Sequence, residues 1–256
     1  MKQTGNTILI TGGGSGIGEA LAHRFHDLGN TVIVAGRRQE ALDKAIAGRA
    51  NMHAITLDVE SAGGVADFAK RVLAAHPALN VLINNAGIMR FEDITHSRDL
   101  ADAEATVTTN LLGPIRLTNA LIDHLTAQPD AAIVNVTSGL AFVPLTVTAT
   151  YNATKAAIHS YTVSLREELR GKVEVIELAP PAVQTGLTPG QETRPGYQPL
   201  GAFTDEVMAL FGQVPTPKEI LVKQVHFLRD AEAEGRFNET VAQLNERARQ
   251  AREAQG

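Results

Sequence analysis

Tyr151 and Lys155 stand four residues apart in TYNATKAAIHSYT, residues 150–162. The segment reads as a helix, and on a helix positions i and i+4 share a face. A cation beside a phenol favours the phenolate and lowers its pKa. A tyrosine held in this way can exchange a proton at neutral pH. Moving a tyrosine from its free pKa of ~10 to near 7 takes about 4 kcal/mol of differential stabilisation. The other tyrosines have no such partner, because Leu165 follows Tyr161 and Gly201 follows Tyr197 at the same spacing.

A helix carrying this pair needs a scaffold, and the chain shows one by alternation. Short apolar runs at 7–11, 31–36, 53–59, 80–87, 131–138 and 172–180 read as strands. Helical stretches lie between them, including a long one over 99–127 and another over 150–170. The strand runs are continuously apolar rather than alternating, which predicts burial on both faces. A parallel sheet covered by helices follows, so the expected fold is α/β: a single doubly wound Rossmann-type domain spanning 1–256. The stretch 181–217, rich in Pro, Gly, Thr and Gln, reads as a variable loop that could cover a substrate. Residues 217–235 read as a helix, and the polar, charged tail from Thr240 to residue 256 as another.

TGGGSGIG joins the first strand to the first helix. Glycines allow a tight turn and close approach to a phosphate, and the helix N-terminus offers free N–H groups and a positive dipole end. Gly12, Gly16 and Gly18 carry the pattern, spaced G-x-x-x-G-x-G. An acid at the end of the second strand would bind a ribose 2′-hydroxyl and favour NAD. Here that strand ends in Gly36, Arg37 and Arg38. Two guanidinium groups suit a 2′-phosphate, so NADP(H) is the preferred cofactor and NAD(H) the alternative.

Bulk composition narrows the remaining classes. Net charge is −5 and there is no cysteine, so disulfides and thiolate metal sites are excluded. Lys and Arg form no long run, and no nucleic-acid surface is expected. The N-terminus has one positive charge before an apolar run of three residues, too short for a signal peptide or a membrane span. A soluble cytoplasmic protein without a membrane partner is the expectation. The histidines show no metal-ligand spacing apart from His23 and His26, which read as a helix surface, so no metal is expected.

Taken in order, TGGGSGIG (11–18), LDV (57–59), NNAG (84–87), Asn110 in TTNLLGP, Ser138 in VTSG and YNATK (151–155) resemble a short-chain dehydrogenase/reductase. The resemblance covers about residues 6–185. It implies that Tyr151 is the general acid/base and that Lys155 lowers its pKa and binds the nicotinamide ribose. Ser138 would hold the substrate carbonyl oxygen. Asn110 would sit at a distortion of the long helix and hold a water linking Lys155 to solvent. The same resemblance places the cofactor on Gly12, Ser15, Gly16, Ile17 and Gly18, on Asp58 and Val59 at the adenine, and on Asn85, Ala86 and Gly87.

Two stretches depart from the family pattern. After the sixth strand Pro181 stands in place of a glycine, while Val183 and Thr185 remain where they could meet the nicotinamide carboxamide. PPAVQT is similar to a DltE-like oxidoreductase subgroup. Near the C-terminus the usual seventh-strand motif is missing; a short strand near Phe237 is possible, with a helix beyond it. A homodimer through the two long helices is therefore expected, with a homotetramer as the alternative.

Leu140, Phe142 and Met89 lie close in sequence to Ser138 and the NNAG turn, and suggest an apolar site for a small carbonyl or alcohol substrate. Arg90 reads as solvated, although it could meet a carboxylate. The expected activity is NADPH-dependent reduction of a ketone or aldehyde. The alternatives are an NAD-dependent alcohol dehydrogenase and a non-catalytic cofactor-binding regulator.

Overall fold

The apolar runs become the strands of one sheet in the computed structural model, which describes residues 1–253. The strands are β1 (Thr7–Thr11), β2 (Thr31–Gly36), β3 (Met52–Thr56), β4 (Leu79–Asn84), β5 (Ala132–Val136), β6 (Glu174–Leu178) and β7 (Glu219–Ile220). They pair in parallel, in the order β3-β2-β1-β4-β5-β6-β7. The chain runs outward from β1 to β3, then returns to the far side of β1 to place β4. That reversal between β1 and β4 opens a crevice at the carboxyl ends of the strands.

The helices cover both faces, as the continuous apolar runs require. Alternate residues of one strand serve opposite layers: Ile8 and Ile10 of β1 join one core cluster and Leu9 joins the other. The first layer is built by α1 (Gly16–Asp27), α2 (Gln39–Ile46) and α7 (Leu200–Phe211). Phe25 of α1 meets Phe211 of α7 edge to face, with ring centroids 5.7 Å apart. The second layer is built by α3 (Ala62–Ala75) and α5 (Gly113–Ala127), through Phe68, Val72, Leu117 and Leu121.

β1 and β2 end where their apolar runs end, but β3, β4, β5 and β6 stop short. β3 ends at Thr56 rather than Val59, β4 at Asn84 rather than Gly87, and β5 at Val136 rather than Ser138. The residues beyond leave the ladder and cross the carboxyl edge, where the site lies. Buried Asn84 and Asn135 pair across β4 and β5 at 2.9 Å, and Thr118 and Thr162 take up their remaining capacity. Their amides are thereby satisfied inside an otherwise apolar layer.

The long helix expected over 99–127 is interrupted. α4 (Ala101–Val107) passes through a π turn at Thr108–Leu112 before α5 begins, and Asn110 lies inside that turn. α6 (Ala149–Glu168) carries Tyr151 and Lys155 on a helix, as their spacing requires.

The C-terminal third departs from expectation. Residues 217–235 do not form one helix. Glu177 N donates to Lys218 O and Ala179 N to Ile220 O, and this backbone pairing draws Glu219–Ile220 into the sheet as β7. A 3-10 turn at Lys223–Val225 and the single turn of α8 (His226–Arg229) are the helical parts of this stretch. No strand forms near Phe237, which instead begins α9 (Phe237–Glu253). Residues 254–256 of the expected tail lie outside the described residues. The expected loop at 181–217 contains α7. No described helix is long and apolar enough to cross a membrane.

Candidate active site

Two adjoining cavities of about 420 and 440 Å³ lie along the carboxyl edge. Gly12, Ser15, Arg37, Arg38, Ala86, Gly87 and Ile88 line both, so they form one continuous cleft. The first cavity runs over Leu42, Leu57, Val59 and Glu60. The second holds Ser138, Tyr151 and Lys155.

The glycine-rich turn is shaped by close approach. Gly12 and Gly16 have φ of 66° and 56°, a region costly for other residues. A Cβ on Gly12 would stand 2.9 Å from Asn85 Nδ2. A Cβ on Gly18 would come within 2.4 Å of Gly12 O, so Gly18 is needed to press α1 onto the turn and lines neither cavity. Ile17 lines the second cavity. Asn85 serves the turn as well, donating from Nδ2 to Thr11 O at 2.9 Å. Thr11 was not singled out from sequence. Its Oγ1 accepts from Asn85 N and Ala86 N, both at 3.0 Å, and so ties β1 to the turn after β4.

Arg37 and Arg38 differ in environment. Arg37 Nη1 donates to Glu60 Oε1 at 3.2 Å, and Thr109 Oγ1 donates to the same oxygen at 2.8 Å. Arg38 stands at the N-cap of α2 and has no ion pair among the described residues. Asp58 does not line the cleft. Its carboxylate accepts from Glu60 N at 3.0 Å and stabilises the turn that brings Val59 and Glu60 to the first cavity.

Ser138, Tyr151 and Lys155 are all buried at the base of the second cavity. Ser138 follows β5 directly, and its Oγ accepts from Leu140 N at 3.1 Å. That contact leaves the hydroxyl proton free to point toward the Tyr151 oxygen, where it lowers the phenol's pKa. Lys155 Nζ donates to Val136 O at 2.8 Å and lies 5.6 Å from the Tyr151 ring centroid.

The expected acidification of the phenol by Lys155 is not seen in the chain by itself. Burial pushes Tyr151 up to about 12, opposed by the Ser138 hydrogen bond. Burial also pushes Lys155 down to about 8. Desolvation disfavours both charged forms and outweighs the attraction between them.

Asn110 is committed to the backbone. Its Oδ1 accepts from Ile88 N at 2.9 Å and its Nδ2 donates to Ile88 O at 2.8 Å. The π turn thus holds the loop after β4 in place through both ends of the Asn110 side-chain amide.

Pro181, Val183 and Thr185 line the second cavity with Leu187 and Gln191. Gln191 was missed in the sequence. It is buried and donates from Nε2 to Val183 O at 2.8 Å and Thr185 Oγ1 at 3.1 Å. This fixes the loop over the start of α1, where Thr185 Cβ would be 3.5 Å from a Cβ on Gly16.

Leu140, Phe142 and Met89 line neither cavity. Phe142 is turned away: its ring meets His159 at 5.2 Å and the Arg229 guanidinium at 4.8 Å. Leu140 belongs to a tight turn, Gly139–Ala141, that packs against Val225 and Leu228. Met89 contributes its carbonyl to Arg90. The apolar substrate wall expected from these residues is therefore not built.

A glycine-lined crevice beside a buried tyrosine and lysine places the chain among the nicotinamide-dependent oxidoreductases of the doubly wound type. The family described as short chain dehydrogenase matches residues 6–195. The chain is 42% identical over 236 residues to the uncharacterized oxidoreductase DltE of Bacillus subtilis (strain 168), covering 90% of this chain and 93% of that protein. It is 33% identical over 186 residues to sulfoacetaldehyde reductase 2 of Chromohalobacter salexigens, covering 71% and 74%. A short-chain dehydrogenase from Burkholderia cenocepacia J2315, solved in complex with NADP, aligns with a TM-score of 0.81 at 27% identity, covering 95% of this chain and 99% of that one.

The chain belongs to the short-chain dehydrogenase/reductase family, in its DltE-like subgroup. It is an oxidoreductase that acts on CH–OH and C=O groups of small molecules with a nicotinamide cofactor.

Proposed function

We propose that the chain is an NADPH-dependent carbonyl reductase that converts a ketone or aldehyde into an alcohol. The observation that carries this reading is the joining of two groups in one cavity: Arg37 and Arg38 at one end, Ser138, Tyr151 and Lys155 at the other. A dinucleotide fits the residues present. Gly12 and Gly16 leave room where a side chain would stand, and Arg38 offers an uncommitted guanidinium to a 2′-phosphate. Ser15, Ile17, Ala86, Gly87, Pro181, Val183 and Thr185 line the space between.

The bound cofactor supplies the hydride to the carbonyl carbon. Ser138 donates a hydrogen bond to the carbonyl oxygen, and Tyr151 gives that oxygen its proton as negative charge develops there. Solvent then returns one proton to Tyr151. Lys155 stabilises the phenolate left between the two events. Its charge acts strongly because both side chains are buried. Ser138 and Tyr151 line the same cavity and can offer both donors to one oxygen.

The loop from Pro181 to Gln191 covers the substrate in this reading, within a single domain. The assembly is a homodimer through the π turn, α5 and α6, which would cover exposed Leu112 and Val163. A cytoplasmic location accords with the absence of cysteine. The test is loss of reduced-cofactor absorbance with NADPH and with NADH over a panel of ketones and aldehydes. Turnover favouring NADPH is expected. Turnover favouring NADH would overturn the cofactor assignment, and cofactor binding without turnover on any carbonyl would overturn the reductase.

A further inference from the structure

We propose that the substrate carries an oxoanion, a carboxylate or a sulfonate, close to its carbonyl, and that Arg90 binds it. This rests on the reductase reading of the same site.

The second cavity is lined by four cationic side chains, Arg37, Arg38, Arg90 and Lys155, and by no aspartate or glutamate. That local excess stands in a chain of net charge −5. Such a cavity concentrates anions by its field. Three of the cations have assigned work: Arg37 and Arg38 lie where the cleft is shared, and Lys155 is buried against Val136 O. Arg90 lines only the cavity that holds Ser138 and Tyr151.

Arg90 is also weakly held. Its Nε stands 3.6 Å from Asp102 Oδ1, with both side chains well exposed. Exposed pairs of this kind contribute little. Its Nη1 reaches Met89 O only at 3.4 Å. The guanidinium is therefore available, and its planar fork matches a carboxylate or sulfonate by two parallel hydrogen bonds. Leu140, Phe142 and Met89, which would extend the apolar lining for an uncharged alkyl or aryl carbonyl, line neither cavity. A small carbonyl compound with an anionic group fits both facts.

Two measurements test this. The first compares kcat/KM for acetoacetate and for its uncharged methyl ester, in the wild type and in Arg90→Leu. The wild type should prefer acetoacetate by about tenfold or more, and Arg90→Leu should bring the ratio toward one. The second titrates propionate, ethanesulfonate and uncharged propanol into the NADP⁺-loaded protein by calorimetry, without turnover. The anions should bind, about tenfold more weakly in Arg90→Leu, with NADP⁺ affinity preserved. Asp102→Asn, which frees Arg90, should tighten anion binding.

The relative affinities of propionate and ethanesulfonate identify the oxoanion. Equal rates on acetoacetate and its ester, together with anion binding indifferent to Arg90→Leu, would overturn the assignment and leave the reductase standing. Arg90-dependent anion binding without reduction of any carbonyl, these two and the ketone and aldehyde panel included, would overturn the reductase and leave the anion site standing.

Discussion

The carboxylate of Glu92 caps the helix that carries Tyr151: it accepts from Thr150 N at 3.0 Å and from Thr150 Oγ1 at 2.7 Å, one residue before the tyrosine. Glu92 belongs to the loop after β4, so two parts of the site are tied together through a buried charge. Arg98 Nη2 neutralises it at 2.5 Å, and Glu92 N donates to Val147 O at 2.8 Å. A carboxylate at a helix N-terminus satisfies orphan N–H groups and meets the positive dipole end.

Glu92→Ala leaves Thr150 N unpaired and Arg98 without its partner. A loss of about 1–3 kcal/mol is expected. That corresponds to a fall of roughly 2–8 °C in Tm for a chain of this size. Because the freed turn carries Tyr151, kcat should fall by about tenfold while NADPH affinity is kept. Thermal unfolding and a kcat-against-Kd comparison check both parts. An unchanged kcat at lowered Tm would make Glu92 purely structural.

Arg37 and Arg38 should not be equal in cofactor selection. Arg37 shares Glu60 with Thr109, whereas Arg38 is uncommitted. Arg38→Ala is expected to weaken NADPH binding by about tenfold or more and leave NADH binding nearly unchanged. Arg37→Ala should cost less. Glu60→Gln should tighten NADPH binding by releasing Arg37. Fluorescence titration of both reduced cofactors decides, and a larger loss for Arg37→Ala would reverse the division.

The helix that carries Tyr151 and the glycine turn were legible because their signals are local. The Tyr151–Lys155 spacing needs only a helix, and TGGGSGIG needs only its place between an apolar run and a helix. The six main strands were legible for the same reason. What escaped depends on partners far along the chain. Glu92 meets Thr150 across 58 positions, Thr11 meets Asn85 across 74, and Glu60 meets Thr109 across 49. No local pattern marks such residues. β7 escaped because two residues carry no periodicity, and only backbone pairing with β6 makes them a strand. Phe142 misled because apolar character near Ser138 does not say which side of the turn a ring takes, and Arg229 and His159 claim it.

His159 and Glu177 form a pH-sensitive pair behind the site. His159 Nδ1 lies 2.8 Å from Glu177 Oε2, and Thr137 Oγ1 donates to Glu177 Oε1 at 2.7 Å. The Glu177 hydrogen bond raises the His159 pKa above its ordinary 6.5, against burial and nearby Arg229. A raised pKa means that folding favours the protonated ring. The stabilisation is complete below pH 6.5 and is lost as pH rises through the raised value. The Tm gap between wild type and His159→Gln should therefore be larger near pH ~6 than near pH ~8. A gap that grows with pH would show the pair acting in the opposite sense.

Lys155 should weaken the fold while serving the chemistry. Burial lowers its pKa from 10.5 to about 8, so between those values the unfolded chain binds more protons than the native one. Stability contributed by this group rises with pH across that window, and the cost of the buried charge is complete below its lower edge. Lys155→Met removes the charge and keeps much of the side-chain volume. At pH ~7 the variant should unfold at least about 2 °C above the wild type, although Val136 O loses its donor. The gap should narrow as pH rises from about 8 toward 10. Turnover should fall by at least about 10²-fold, since the buried phenolate of Tyr151 loses its cation. Tm measured against pH, beside the turnover assay, reads both effects. A variant less stable than wild type at neutral pH would mean that the Val136 hydrogen bond outweighs desolvation and that Lys155 holds the site together rather than straining it.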